Sequence, residues 1–326
     1  MRNNTSVLEK TLRILNRKMS SSPLLMILSI LILCAACEKF KSPTQEVPET
    51  VTQYFKYLGP LPNQLNEISG LVIEDSTIWA HNDSGDGPYL YQVSLSGDKL
   101  LRKATIKGIF PIDWEDMTRD EHFFYLGDFG NNNGNRQDLS IYKVAIDSLD
   151  LSPNEKISFH SHLTFSYEDQ LRFNYGPYQH NFDCEAMIVQ RDSLYLFTKN
   201  HEDNHCRFYA LSKHSDGSAI AQLRDTFDTK GTITAAAYTV GKTGPVLALL
   251  GYNYKGGNAF HSFLWLFTEF KGANFFSGKQ QRIDLPPIAQ TEGISFLTPT
   301  KLLISSEAEN LSFGKLFQFD IEHWLQ

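Results

Sequence analysis

"DWEDMTRDEHFFYLGDFGNNNGNRQDLSIYKV", residues 113 to 144, opens with three carboxylates around a tryptophan: Asp113, Glu115 and Asp116. An apolar run, a turn, a hydrophobic strand ending at Asp128, a Gly/Asn-rich loop and an alternating aromatic strand follow. The same order of events recurs in "NEISGLVIEDSTIWAHNDSGDGPYLYQVSL" (66–95), "DCEAMIVQRDSLYLFTKNHEDNHCRFYAL" (183–211) and "TEGISFLTPTKLLISSEAENLSFGKLFQFDI" (291–321), and more weakly in "TITAAAYTVGKTGPVLALLGYNYKGGNAFHSFLWLF" (232–267). Repetition at such intervals marks a fold built from stacked supersecondary units. The equivalent positions Ser69, Glu115, Glu185, Thr234 and Glu292 lie 46, 70, 49 and 58 residues apart.

Within each unit the period-2 alternation of aromatic and β-branched residues predicts three strands. A fourth strand precedes each following unit: "LLRKATIKG", "KISFHSHLTF", "AQLRDTFD" and "KQQRIDL". The last unit has none after it, but "VTQYFKYLG" (Val51 to Gly59) stands unpaired before the first. An N-terminal strand that completes the C-terminal sheet closes a ring and covers its edge. The expectation is an all-β β-propeller of four-stranded blades, five in number, formed by residues 51–326. Six blades is the alternative, with a degenerate one inside residues 148 to 180.

In a propeller the innermost strand lines the central channel, and the end of the second strand reaches the same mouth. Simple alternation sets Asp113 and Glu115 on one side of their strand, with Trp114 and Asp116 on the other. The matching pairs are Glu67 with Ser69, Asp183 with Glu185, and Gln290 with Glu292. The ends of the second strands add Asn82, Asp83, Asp128, Lys199, Asn200, Asn253, Ser306 and Glu307, so one channel mouth is expected to gather these residues with Thr234. Carboxylates crowded together resist ionisation unless a cation relieves them. Ca²⁺, which takes six to eight oxygen ligands, suits the set. Glu115, Glu185 and Glu292 are the foremost candidate ligands, supported by Asp113, Asp183 and Asp128. The competing reading is a polar, water-filled channel whose acids cap backbone N–H groups.

The first 36 residues read as a leader. Arg2, Lys10, Arg13, Arg17 and Lys18 precede the apolar run "LLMILSILIL", which is too short for a confident membrane span. The ending Ala35-Ala36-Cys37 resembles the lipobox of bacterial lipoproteins, which would make Cys37 the lipidated first mature residue; Cys34 stands where that motif usually has leucine, so ordinary signal-peptidase cleavage remains open. Residues 37–50 form a polar, proline-bearing tether. The expected location is the cell envelope, with the domain lipid-anchored on a periplasmic or outer-membrane face. From Cys37 onward 25 basic residues face 36 acidic ones, a charge of −11. Nucleic acid is therefore a poor partner. Two cysteines in the body, Cys184 and Cys206, do not make a disulfide scaffold, and whether they pair is open.

"EISGL", "WAHNDSGDGPYLY", "DWEDM", "YLGDFGNN", "DCEAM" and "TEGISF" together resemble the recurrent motifs of exported bacterial β-propellers, namely the SdiA-regulated family and the family with esterase-like activity of phytase. The resemblance spans residues 50 to 322. It implies that Glu115, Glu185 and Glu292 ligate metal and that Asp113 or Asp183 orients a water. A phosphate site also calls for cations, and only Lys199, Arg136 and Arg207 fall near the mouth.

No G-x-S-x-G or H-E-x-x-H motif occurs. "HNDSGDG" (81–87) reads as a turn. "HEDNHC" (201–206) reads as a solvated loop, and a metal clip of His201, His205 and Cys206 is the lesser reading. Aromatics make up 13% of the chain; most pack between blades, while Trp114 and Tyr252 are candidates for the mouth. Two functions follow. One is a monomeric recognition module for a protein, peptide or glycan. The other is a metal-dependent phosphoester or ester hydrolase at the same mouth.

Overall fold

The computed structural model describes residues 49–83, 85–150, 156–254, 260–308 and 312–326. The expected leader, Cys37 and most of the expected tether lie outside the described residues. A helical turn, Glu49–Thr52, leads into β1 (Phe55–Pro60). Twenty further strands follow among the described residues.

Blade I comprises β2 (Ile68–Glu74), β3 (Thr77–Asn82), β4 (Tyr89–Ser94) and β5 (Leu100–Lys107). Blade II comprises β6 (Trp114–Arg119), β7 (Phe123–Asp128), β8 (Ser140–Ala145) and β10 (Ser161–Tyr167), while the short β9 (Lys156–Ser158) runs parallel against the edge of β5. Blade III holds β11 (Cys184–Gln190), β12 (Ser193–Thr198), β13 (His205–Ser212) and β14 (Gly217–Asp228). Blade IV holds β15 (Thr232–Gly241), β16 (Gly244–Tyr254), β17 (Phe260–Thr268) and β18 (Lys279–Asp284). Blade V is β19 (Thr291–Thr298), β20 (Lys301–Ser306) and β21 (Lys315–Asp320), completed at its outer edge by β1, which pairs antiparallel with β21 from Phe55↔Phe319 to Pro60↔Lys315.

The inner strands meet in a cycle: β2 packs on β6, β6 on β11, β11 on β15, β15 on β19, and β19 on β2. Five apolar clusters lie in the five gaps between neighbouring blades, such as Trp79 and Leu90 of blade I against Trp114 and Phe124 of blade II. The fold is an all-β propeller. Residues 148 to 180 hold no separate blade among the described residues. They supply the β9 edge strand and β10, and β10 also runs parallel to β14, from Leu163↔Gly217 to Tyr167↔Ala221, joining blades II and III through their outer strands.

Trp114 is 1% exposed and belongs to the gap between blades I and II, so it does not reach the mouth. Cys184 and Cys206 are both free and buried.

Candidate functional site

Each inner strand carries an irregularity near its start. Pairing jumps from Trp114↔Asp128 to Asp116↔Gly127, from Cys184↔Thr198 to Ala186↔Phe197, from Ile233↔Gly251 to Ala235↔Leu250, and from Thr291↔Ser306 to Gly293↔Ser305. In blade I it jumps from Ile68↔Asn82 to Leu71↔Ala80. The extra residues are Glu115, Glu185, Thr234 and Glu292, with Ser69 in blade I. A β-bulge bends its strand and re-aims the side chain of the added residue. All five repeat positions are therefore bulge positions at the same end of the channel.

A second recurring contact fixes the neighbouring ring. The backbone N–H of Asp83, Gly130, Lys199 and Glu307 donates to the carbonyl of Glu67, Asp113, Asp183 and Gln290, at 2.9, 3.2, 2.8 and 2.9 Å respectively. Each acceptor lies two residues before its blade's bulge, so the segment leaving each second strand is held beside the start of the inner strand. Three of these donors, Asp83, Lys199 and Glu307, turn their side chains into a cavity of about 810 Å³ together with Ser69, Glu115, Glu185 and Glu292. Tyr178, Tyr252, Asn253 and Phe260 also line it. The fourth donor, Gly130, explains itself sterically. A Cβ there would lie 2.1 Å from Glu115 Oε1 and 2.5 Å from Asp113 Oδ2.

Glu115, Glu185 and Glu292 are buried, at 4%, 3% and 4% exposure. Glu185 Oε2 pairs with Lys199 Nζ at 3.1 Å. Gln290 Nε2 donates to Glu292 Oε1 at 2.6 Å and to Glu307 Oε1 at 3.2 Å. Glu292 Oε2 is buried with no hydrogen-bond partner. One oxygen each of Asp83, Asp113 and Glu115 lie within 4.8 Å of one another.

Burial pushes the Glu115 carboxyl well above its ordinary range, helped by Glu185, Asp83 and Asp113. Glu185 is raised by burial too, against the pull of Lys199. Burial, then Asp83 and Asp183, raise Asp113 to about 7. Glu292 rises to about 7 through burial, opposed by Lys199, and Glu307 to about 8 through burial and the charges of Glu292, Glu67 and Asp83. Burial works against the Lys199 ammonium, but Glu185, Tyr252, Glu292 and Glu115 outweigh it and hold its pKa well above the usual value. The pit carries more acid than its own cations neutralise.

Several expected ligands are engaged elsewhere. Asp128 accepts the amides of Ile112 and Asp113 at 3.2 and 3.1 Å and pairs with Arg136 at 3.0 Å. Asp183 accepts the Asn131 amide at 2.6 Å, and its other oxygen faces His201 Nε2 at 3.5 Å. Asn82 donates to Gln64 O and to Asp86, within the turn at 81–87, and Asn200 to His205 O. Arg136 is further bound to Asp138 and Arg207 to Asp203, so neither guanidinium is presented to the pit. His201, read as part of a solvated loop, lines the cavity edge-on to Tyr178, with ring centroids 4.7 Å apart.

Asp116 departs from simple alternation. The bulge at Glu115 shifts the parity of the strand, and Asp116 accepts the amides of Met117 and of Met187 on the next inner strand, both at 2.7 Å. The equivalent positions in the other blades are Gly70, Ala186, Ala235 and Gly293, small residues throughout. A second cavity, of about 320 Å³ and lined by Met117, Arg119, Ala236 and Phe296, opens among the distal ends of the inner strands.

No family model matches the chain, and no curated protein matches it. Among solved structures, the PQQ-bound form of an aldose sugar dehydrogenase from Streptomyces coelicolor aligns with a TM-score of 0.50 at 11% identity, over 82% of this chain and 98% of that one. An α-L-arabinanase from Penicillium chrysogenum complexed with arabinobiose gives 0.46 at 8%, over 82% and 98%. An exo-β-1,3-galactanase from Phanerochaete chrysosporium gives 0.49 at 10%, over 82% of this chain and 64% of that one. Likeness at such identities concerns the fold alone.

Proposed function

We propose that the protein is a recognition propeller, exported and tethered through Cys37, whose acid-lined mouth holds a divalent cation and binds a protein, peptide or glycan ligand beside it. The observation that carries the reading is the convergence of Asp83, Asp113 and Glu115, whose oxygens approach within 4.8 Å of one another. The residues fit a hard cation. The donors are all carboxylate oxygens, as Ca²⁺ prefers, and the missing side chain at Gly130 leaves their space open. Of the three glutamates expected to share a metal, Glu115 belongs to this group, while Glu185 is matched by Lys199 and Glu292 by the Gln290 amide. Asp83 is the ligand that sequence alone assigned only to the mouth.

The phytase-like resemblance leaves phosphoester hydrolysis as the other use of the same mouth. Against it stand the engaged side chains of Arg136, Arg207 and Lys199, which pair with Asp128, Asp203 and Glu185. The test is calorimetric. Ca²⁺ is expected to raise the melting temperature of the wild-type protein by ligand linkage, and Asp113→Asn to remove most of that rise. Turnover of p-nitrophenyl phosphate or acetate that Glu115→Gln abolishes would overturn the recognition reading.

A further inference from the structure

The blade V side of the pit differs from the Asp83–Asp113–Glu115 side in what it lacks. Glu292 is 96% buried, lines the cavity, and keeps Oε2 without a donor, since Thr234 beside it gives its hydroxyl proton to Thr291 O at 2.7 Å. An unmatched buried carboxylate oxygen destabilises the site unless a donor reaches it. Beside it, Glu307 is drawn alongside by the shared Gln290 amide, which donates to one oxygen of each acid. An N–H₂ group already sits between the two carboxylates, where a bare metal ion would be repelled by its hydrogens. Among the described residues, Glu292 and Glu307 join no group of acids close enough to grip a metal. Lys199, the cation whose charge acts on both acids, is held by Glu185 at 3.1 Å. What this side lacks is a donor that arrives with the ligand.

The rim says what carries it. Phe110 and Ile112 lie between β5 and β6, Leu171 and Tyr178 between β10 and β11, and Phe313 between β20 and β21, and all are exposed, Phe110 to 86% and Leu171 to 89%. Each of these connections leaves or enters a strand at the end where the bulges lie. Half of the ten exposed large apolar side chains described thus sit on the face that opens over the acids. Of the five only Tyr178 lines the pit itself; the others share its face, where they give a polypeptide's apolar residues something to pack on.

We propose that Glu292 and Glu307 form a subsite for the guanidinium or ammonium group of a polypeptide partner, whose flanking apolar residues pack on this rim. A planar guanidinium presents paired N–H donors that match two neighbouring carboxylates, and Tyr252 and Phe260 line the same cavity. The proposal deepens the recognition reading and rests on it.

The experiment is isothermal titration with acetyl-Leu-Arg-Leu-amide, its citrulline counterpart and free ethylguanidinium, with and without Ca²⁺. The arginine peptide is expected to bind at least tenfold more tightly than the citrulline peptide, and more tightly than ethylguanidinium. Glu292→Gln and Glu307→Gln, checked for unchanged thermal unfolding, are each expected to weaken it at least tenfold, while Asp192→Asn, an exposed acid in the turn between β11 and β12, leaves it within threefold. Equal binding of the citrulline peptide, no saturable binding of the arginine peptide, or wild-type affinity in both glutamine variants would overturn the subsite. Free ethylguanidinium binding as tightly as the peptide would overturn the polypeptide partner. A missing Ca²⁺ response with peptide binding intact sinks the metal reading alone; a Ca²⁺ response lost in Asp113→Asn, with no peptide binding, sinks this one alone.

Discussion

At the scale of single residues, two aspartates show how the same side chain serves different ends. Asp116 is 1% exposed and ties the inner strand of blade II to that of blade III through the Met187 amide. Burial pushes its pKa well up, and the Met187, Met117 and Ala236 backbones pull against that rise. Replacing it by alanine strands two buried amides, each costing about 1–3 kcal/mol. Asp116→Ala is expected to lose about 3 kcal/mol by urea unfolding and Asp116→Asn, which keeps one acceptor oxygen, distinctly less; equal losses would mean the amides are not what the residue serves. Asp120 lies near the opposite cavity and accepts from the His122 and Phe123 amides, the Tyr125 hydroxyl and Lys213. Burial opposes its charge, but these donors prevail and lower its pKa to about 2. A carboxylate depressed in the folded state stabilises it above the unfolded pKa, near 3.8, and that stabilisation is lost as pH falls through the folded value. Discounted for solvent screening at this partly exposed site, the effect is about 1 kcal/mol. Between pH 5 and pH 2 the wild-type protein should therefore lose about 1 kcal/mol more stability than Asp120→Asn.

At the scale of elements, the bulge is the device that makes the site. It acts on whatever residue occupies it: Thr234 fills the blade IV bulge and donates to Thr291 O at 2.7 Å across to the next inner strand. Thr234→Glu should thus aim another carboxylate into a pit already rich in them. A carboxyl whose pKa is raised on folding destabilises the native state as pH rises above its unfolded value. The variant is expected to be about 1 kcal/mol less stable than wild type at pH 5, from the lost hydrogen bond, and by clearly more at pH 8. An equal deficit at both pH values would place that side chain outside the pit. The bulge also marks the limit of what the chain's sequence discloses. Strands, their order and the closing segment are legible because alternation and turn residues write themselves into composition, as in "VTQYFKYLG". One extra residue in a ladder leaves no such trace. Counting alternation straight through Glu115 therefore put Asp116 beside Trp114, whereas the two part company, Trp114 into the gap between blades and Asp116 onto the neighbouring inner strand. Likewise the residue types at the mouth were readable, but not their pairing: that Lys199 takes Glu185, that Arg136 takes Asp128, and that Asp83 joins Asp113 and Glu115 follows from side-chain direction in three dimensions.

At the scale of the whole molecule, the pit depends on the ring staying shut, since the acids of blades I, II and V converge only while β19 packs against β2. Closure rests on β1. Its Phe55 ring lies 5.2 Å from Phe317 and 5.6 Å from Phe319, and Val51 just before it is buried in the cluster between blades IV and V. Without this strand the outer edge of β21 would present a row of unpaired N–H and C=O groups, the usual template for edge-to-edge association. Two N-terminal truncations separate the role of the strand from that of the segment before it. A chain beginning at Val47 keeps β1 and is expected to unfold as cooperatively as the longer protein, with the same Ca²⁺ response. A chain beginning at Leu61 loses the strand and several kcal/mol of aromatic burial, which for a domain of this size corresponds to a fall in melting temperature of about 10 °C or more. It should also sediment as larger species and lose the Ca²⁺-induced shift, because an opened ring separates the acids that would share the ion. If the shorter chain remained monomeric and kept that shift, the acids would be held by their own blades, and closure would have no part in forming the site.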